Sequence, residues 1–172
     1  HLGFVNSFYS IILNGFIVVG INNKVGLDEL KNIIEQNKLE VIITTDEFVD
    51  LLEQTDIKNI VNYNSINLNE YSDEIDLIKR EPELDDVMVI SYTSGTSGKF
   101  SKPVELTFRN ISFVSEEYKK VYKLNEDTKC ITVLPLWHNY AMFACLTSSI
   151  VANSCVIIMK EWDLELFIKI NE

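Results

Sequence analysis

From Tyr92 to Lys99 the sequence reads Tyr-Thr-Ser-Gly-Thr-Ser-Gly-Lys, and the chemistry these residue types can do together is anion binding. Gly95 and Gly98 let the backbone turn tightly, so that successive N–H groups converge on one anion. The hydroxyls of Thr93, Ser94, Thr96 and Ser97 add donors, and Lys99 and Lys102 bring positive charge to a polyphosphate. The run is not the P-loop of ordinary NTPases. That pattern needs glycine five positions before Gly98 and a Ser or Thr after the lysine, where this chain has Thr93 and Phe100.

A second stretch with chemical potential is Leu134-Pro135-Leu136-Trp137-His138-Asn139-Tyr140, which follows an apolar strand-like run. Taken alone, His138 reads better as a hydrogen-bonded histidine at a strand end than as a site residue. Taken with the first stretch it reads differently. Tyr92–Lys99 and the following Pro103-Val104-Glu105-Leu106-Thr107-Phe108-Arg109-Asn110-Ile111 resemble the signature of the adenylate-forming superfamily, and residues 134–140 resemble its Pro-Leu-Phe-His motif. Two departures stand out: the connection Lys99 to Pro103 is one residue longer than usual and lacks its glycine, and Phe108 stands where histidine is common.

The resemblance implies ATP-dependent activation of a small-molecule carboxylic acid, fatty or aromatic, as an acyl-adenylate. Transfer to a thiol follows, that of coenzyme A or of the phosphopantetheine arm of an acyl carrier protein. ATP and Mg²⁺ are the implied cofactors. By position, Thr93, Ser94, Gly95, Thr96, Ser97, Gly98 and Lys99 would hold the phosphates, Lys102 and His138 would be catalytic, and His138 with Tyr140 would flank the acyl group. Trp137, Met142 and Phe143 are further candidates for an acyl tunnel, or for simple packing. Which of Lys99 and Lys102 meets the phosphates stays open at this point. Such chemistry needs no general base, because a carboxylate is ionised at neutral pH. It does need offset charge, since an anion must approach a polyanion. A reading from another class is a nucleotide-binding scaffold without turnover, for which the longer Lys99 to Pro103 connection speaks.

The elements that must position these residues alternate helix and strand. Apolar helix is expected from Leu2 to Asn14 with Gly15 as its stop, strand at Phe16–Ile21, and amphipathic helix at 27–37. Val41–Thr45 reads as strand, Asp46 as the cap of a helix over 47–54, and 57–62 as strand. Val87–Tyr92 delivers the glycine-containing loop, and Thr107 caps a helix to Tyr122. Cys130–Leu134 reads as strand, Tyr140–Ala152 as helix, Ser154–Met159 as strand, and Asp163 as the cap of a last helix. The alternation predicts a layered α/β fold with a mainly parallel sheet flanked by helices. Residues 66–86 hold eight carboxylates against Lys79 and Arg80, a solvated surface connection without tight metal-ligand spacing.

A net charge of −11 argues against nucleic-acid partners and anionic membranes. Cys130 to Met159 carries no charged side chain, yet Pro135, His138 and Asn139 interrupt it, so no integral membrane association is expected. Three cysteines without Cys-x-x-Cys spacing suit a reduced, cytoplasmic protein. With 172 residues, the chain is expected to be one internal piece of an AMP-binding N-terminal domain, lacking the C-terminal catalytic domain and inactive by itself.

Overall fold

A computed structural model describes residues 2–67, 81–93 and 100–171. The expected alternation is present: α1 (Leu2–Leu13), β1 (Val18–Val19), α2 (Leu27–Asn37), β2 (Val41–Thr44), α3 (Val49–Leu52), β3 (Asn59–Asn62), β4 (Val87–Thr93), β5 (Lys102–Thr107), α4 (Phe108–Val121), β6 (Lys129–Thr132), a π-helix (Tyr140–Thr147) running into α5 (Ser148–Val151), β7 (Cys155–Ile158) and α6 (Leu164–Asn171). Pairing is β1-β4-β5, β2-β3 and β6-β7, and every pair except β4 with β5 is parallel. The acidic connection lies largely at residues 68–80, outside the described residues.

Gly15 stops α1 as expected. Its φ of +76° lets its own N–H reach the Ile12 carbonyl at 2.9 Å and the Phe16 N–H reach Ile11 at 3.1 Å, satisfying two terminal acceptors. In α2, Leu30 and Ile33 point inward at 3 % exposure each, and Asp28 and Glu29 occupy the positive N-terminal turn. Thr107 caps α4 in a reciprocal box with Asn110. Asp163 accepts from the Leu166 N–H at 3.0 Å at the start of α6.

Three expectations are corrected, and one strand had not been expected. Asp46 opens a short 3-10 turn and caps nothing. Its carboxylate instead accepts from Asn62 at 2.5 Å and Asn64 at 2.6 Å, which hold its pKa below the ordinary value. The strand expected over Phe16–Ile21 shrinks to two residues, although Gly20 N–H still reaches the Ile90 carbonyl at 3.3 Å. Lys102–Thr107 forms an antiparallel edge strand, where Pro103 is tolerated because an edge does not need every N–H. The helix expected at Tyr140 begins as a π-helix.

One core joins Phe8, Val18, Met88, Val89, Met142 and Phe143, and so ties α1, β1 and β4 to the π-helix. A second joins Leu30, Ile42 and Leu52 between α2, β2 and α3. Met142 is 1 % exposed, so Met142→Ala should cost about 2–5 kcal/mol.

Candidate functional site

The glycine-containing loop is strung between two paired strands. Thr93 at the end of β4 stands opposite Lys102 at the start of β5, and Thr93 Oγ1 donates to the Lys102 carbonyl at 3.4 Å. The chain that leaves at Thr93 therefore returns at the same point. Ser94, Gly95, Thr96, Ser97, Gly98 and Lys99 lie outside the described residues. Lys102 is exposed at the mouth of the loop.

Both flanks of that loop are anchored on α2. Tyr92 Oη accepts from Asn37 Nδ2 at 2.5 Å and donates to Gln36 Oε1 at 3.4 Å. On the other flank the Ser101 N–H donates to Glu29 Oε1 at 3.1 Å. A hydrogen bond to a charged acceptor is roughly twice as strong as a neutral one, so Glu29 is a firm anchor. Helix α2 thus fixes the loop's base although it contributes nothing to the loop itself.

The His138 segment is brought to the same strand. Ser91 is 7 % exposed, and its Oγ donates to Asn139 Oδ1 at 2.6 Å. Ser91 and Thr93 share a face of β4, because side chains in a strand alternate. The first loop hydroxyl and the residue after His138 therefore belong to one side of the sheet. The end of β1 reaches this point too: a Cβ on Gly20 would sit 3.7 Å from the Trp137 carbonyl.

His138 is an exposed residue at the start of the π-helix, where its carbonyl accepts from Met142 N–H at 3.0 Å. Its Nδ1 accepts from Tyr140 N–H at 3.2 Å, which in the neutral ring assigns the proton to Nε2. A ring so fixed can donate through Nε2 to a carboxylate or phosphate oxygen. Tyr140 is 46 % exposed, with its ring edge-on to Tyr118 at 6.0 Å. Desolvation, then the neighbouring Tyr122, push its phenol above the ordinary pKa, so it is protonated at neutral pH. Met142 and Phe143 belong to the main core and serve packing. Trp137 lies partly exposed beside His138, with ring centres 5.9 Å apart.

Sequence reasoning singled out Thr93, Lys102, His138 and Tyr140 but passed over Ser91, Asn139, Asn37 and Glu29. A serine inside the strand-like run Val87–Tyr92 was the one available signal for Ser91. Among the described residues no group of three His, Cys, Asp or Glu side chains is arranged to hold a metal ion. No described helix is long and apolar enough to cross a membrane.

The layered α/β arrangement of these elements matches that of adenylate-forming enzymes. The profile of the AMP-binding enzyme family matches residues 2–170, and the chain belongs to that family. A 2-succinylbenzoate–CoA ligase of Oceanobacillus iheyensis is 25 % identical over 161 residues, covering 94 % of this chain and 32 % of the relative. A probable CoA ligase of Humulus lupulus is 42 % identical over 71 residues, 41 % of this chain and 13 % of the relative. Among solved structures, apo MatB from Rhodopseudomonas palustris superposes with a TM-score of 0.84 at 17 % identity, covering 99 % of this chain and 35 % of that one. The o-succinylbenzoate CoA synthetase of Bacillus subtilis in complex with its acyl-adenylate intermediate gives 0.83 at 23 % identity, covering 99 % and 44 %. The chain spans about a third of the length of the curated relative it matches end to end.

Proposed function

We propose that the protein carrying these residues joins a carboxylic acid to ATP as an acyl-adenylate, releasing pyrophosphate, and passes the acyl group to the thiol of coenzyme A, releasing AMP. The observation that carries this is the single face of β4 on which Thr93, at the root of the Ser/Thr/Gly loop, and Ser91, bonded to the His138 segment, both stand. Family membership over residues 2–170 and similarity to CoA ligases support it.

The reaction places two demands on the chain. The carboxylate oxygen must approach an α-phosphorus surrounded by negative oxygens, so fixed donors must offset that charge. Thr93 to Lys99 supply N–H and hydroxyl donors, and Lys102 supplies a cation at the loop's mouth. The acid must be held in line with the phosphorus, which is positioning work. His138, oriented by Tyr140 N–H, offers its Nε2–H to the acid's oxygen, and Tyr140 lies against the acyl chain. Magnesium bound with ATP would supply positive charge against the polyphosphate, and no described residue is assigned to hold it.

Full-length protein assayed for carboxylate-dependent pyrophosphate release, over a panel of fatty and aromatic acids, tests the reading. Lys102→Ala and His138→Ala should each lower the rate by about 10²-fold or more, the scale of losing one aligned charge-stabilising group. Undiminished release in both variants would remove these residues from the site. Release that needs a carrier protein in place of coenzyme A would assign the other thiol, and no release with any acid would favour a nucleotide-binding scaffold.

A further inference from the structure

Two of the three cysteines meet where β6 packs against the π-helix, and the proposed reaction uses neither. Alternate side chains of a strand share a face, so Cys130 and Thr132 leave β6 on the same side. Cys145 and Ser149 are four residues apart where the π-helix runs into α5, and so lie on one side of it. Packing brings the two pairs together. The Cys145 thiol donates to the Cys130 sulfur, the Ser149 hydroxyl lies at Cys130, and the Thr132 hydroxyl lies at Cys145. Both hydroxyls are buried, at 0 and 3 % exposure, and neither makes a regular hydrogen bond, so a sulfur is what each has within reach.

Cys155 stands outside this cluster. Its register partner on β6 is Lys129, whereas that of Cys130 is Val156, so Cys155 and Cys130 point to opposite faces of the sheet. All three cysteines are free thiols, and Cys130 and Cys145 are half-buried, which leaves them open to a small reagent.

We propose that Cys130 and Cys145 form an oxidation site, which hydrogen peroxide closes as a reversible disulfide between β6 and the π-helix. The Cys130 thiolate attacks one peroxide oxygen: the S–O bond forms, the O–O bond breaks and hydroxide leaves. The sulfur is thereby oxidised to a sulfenic acid and the peroxide reduced. The Cys145 sulfur then attacks the sulfenic sulfur: the S–S bond forms, the S–O bond breaks, and the departing hydroxide takes the Cys145 proton as water. Cys130 suits the first step. The hydrogen bond from Cys145, and a lesser one from Ser149, bring its thiol down to about 6 against the effect of burial, and a thiol with a pKa near ambient pH is the best attacking one. Cys145 suits the second, because its bond to Cys130 is the largest cause holding its proton, and that hold ends once Cys130 is oxidised. The chain between the two cysteines carries residues 134–140, so the disulfide closes a ring around the whole His138 segment. A ring of about 15 residues takes conformations from the unfolded chain and should shift the unfolding equilibrium about a hundredfold toward the folded one.

The chain treated with hydrogen peroxide at neutral pH, alkylated with iodoacetamide and cut with chymotrypsin decides it, since cleavage after Leu134, Phe143 and Leu146 separates the three cysteines. One pair of linked peptides should appear, holding Cys130 and Cys145, with Cys155 alkylated; dithiothreitol should reverse the link, and the urea midpoint should rise with it. In Cys145→Ser the reaction should stop at the sulfenic acid, which dimedone traps on Cys130. In concentrated urea, where the fold no longer holds the sulfurs together, linkage should be at least about tenfold slower. A Cys130 that stays open to alkylation, a bond to Cys155 or between two chains, or linkage as fast in urea would each overturn the proposal. None of these readouts depends on turnover, so the oxidation site and the proposed activity fail separately.

Discussion

Ser91 and Asn139 are 48 residues apart in sequence and 2.6 Å apart in space, and the resemblance implies a catalytic role for neither. Their bond should act as a pair. Ser91→Ala and Asn139→Ala should each cost about 1 kcal/mol of stability, and the double variant should cost less than the sum by about the same amount. Additive losses in urea unfolding would sink the pairing. A second residue-scale prediction concerns Cys130, whose sulfur accepts from the Cys145 thiol and whose pKa is lowered to about 6, while that of Cys145 is raised because it keeps the shared proton. Between pH 6 and 9 folded Cys130 has lost a proton that the unfolded thiol retains. Its stabilising share is therefore complete above about 9 and is lost as pH falls through about 6; the share of Cys145 has the opposite sign, present below the ordinary thiol value and lost above it. Iodoacetamide labelling of Cys130, followed by peptide mass spectrometry, should have its midpoint near pH 6, and Cys145→Ala should move it toward 9. A midpoint near 9 in the unaltered chain would refute the contact. The sequence showed that three cysteines lay in apolar runs, but nothing local put β6 against the π-helix. The same holds for Ser91 with Asn139: motif residues are legible one by one, while their mutual placement is tertiary.

At the level of elements, α2 was readable to the residue because its inward positions recur at helical spacing and acidic residues open its first turn. Strand β5 was not readable, since Lys102, Pro103 and Glu105 carry no strand preference and their extended form comes from pairing with β4. The π-helix likewise has no sequence mark; its residues are apolar throughout and fit an ordinary helix equally well. Helix endings yield the sharpest test. Helices α2 and α4 close through Lys38 at φ 51° and Lys123 at φ 53°, each in the geometry Gly15 adopts after α1, with the next N–H reaching back to Ile34 and Lys119. A side chain in that left-handed region costs about 1–2 kcal/mol, part of which glycine returns as lost freedom in the unfolded chain. Lys38→Gly and Lys123→Gly should therefore raise stability by about 0.5–1 kcal/mol each, while Lys31→Gly inside α2 should lower it by about 1 kcal/mol. Urea midpoints at constant slope would show this, and a loss at Lys38 or Lys123 would contradict the assigned caps.

Over the whole molecule, charge sets a different problem, because a chain of net charge −11 is proposed to capture a polyanion. Long-range attraction cannot do this, so the nucleotide must be won at short range by the N–H groups, hydroxyls and lysines around the loop, and its capture should tolerate salt better than steered binding does. The same imbalance acts on folding. Repulsion among 26 acidic side chains opposes the compact state, and salt screens it over about 8 Å at physiological ionic strength. Salt also weakens attraction, here in the pairs Arg109–Asp85 at 3.0 Å and Lys120–Glu117 at 2.8 Å. These are exposed pairs, of the kind whose median worth is between zero and about 1 kcal/mol, so their loss cannot match the relief of repulsion spread over the surface. Raising sodium chloride from about 10 to about 150 mM, roughly from a 30 Å to an 8 Å screening length, should therefore increase the thermal midpoint by several degrees. Neutralising Glu117 should leave most of that rise intact. A midpoint that falls with salt would mean that attractive pairs outweigh the net charge.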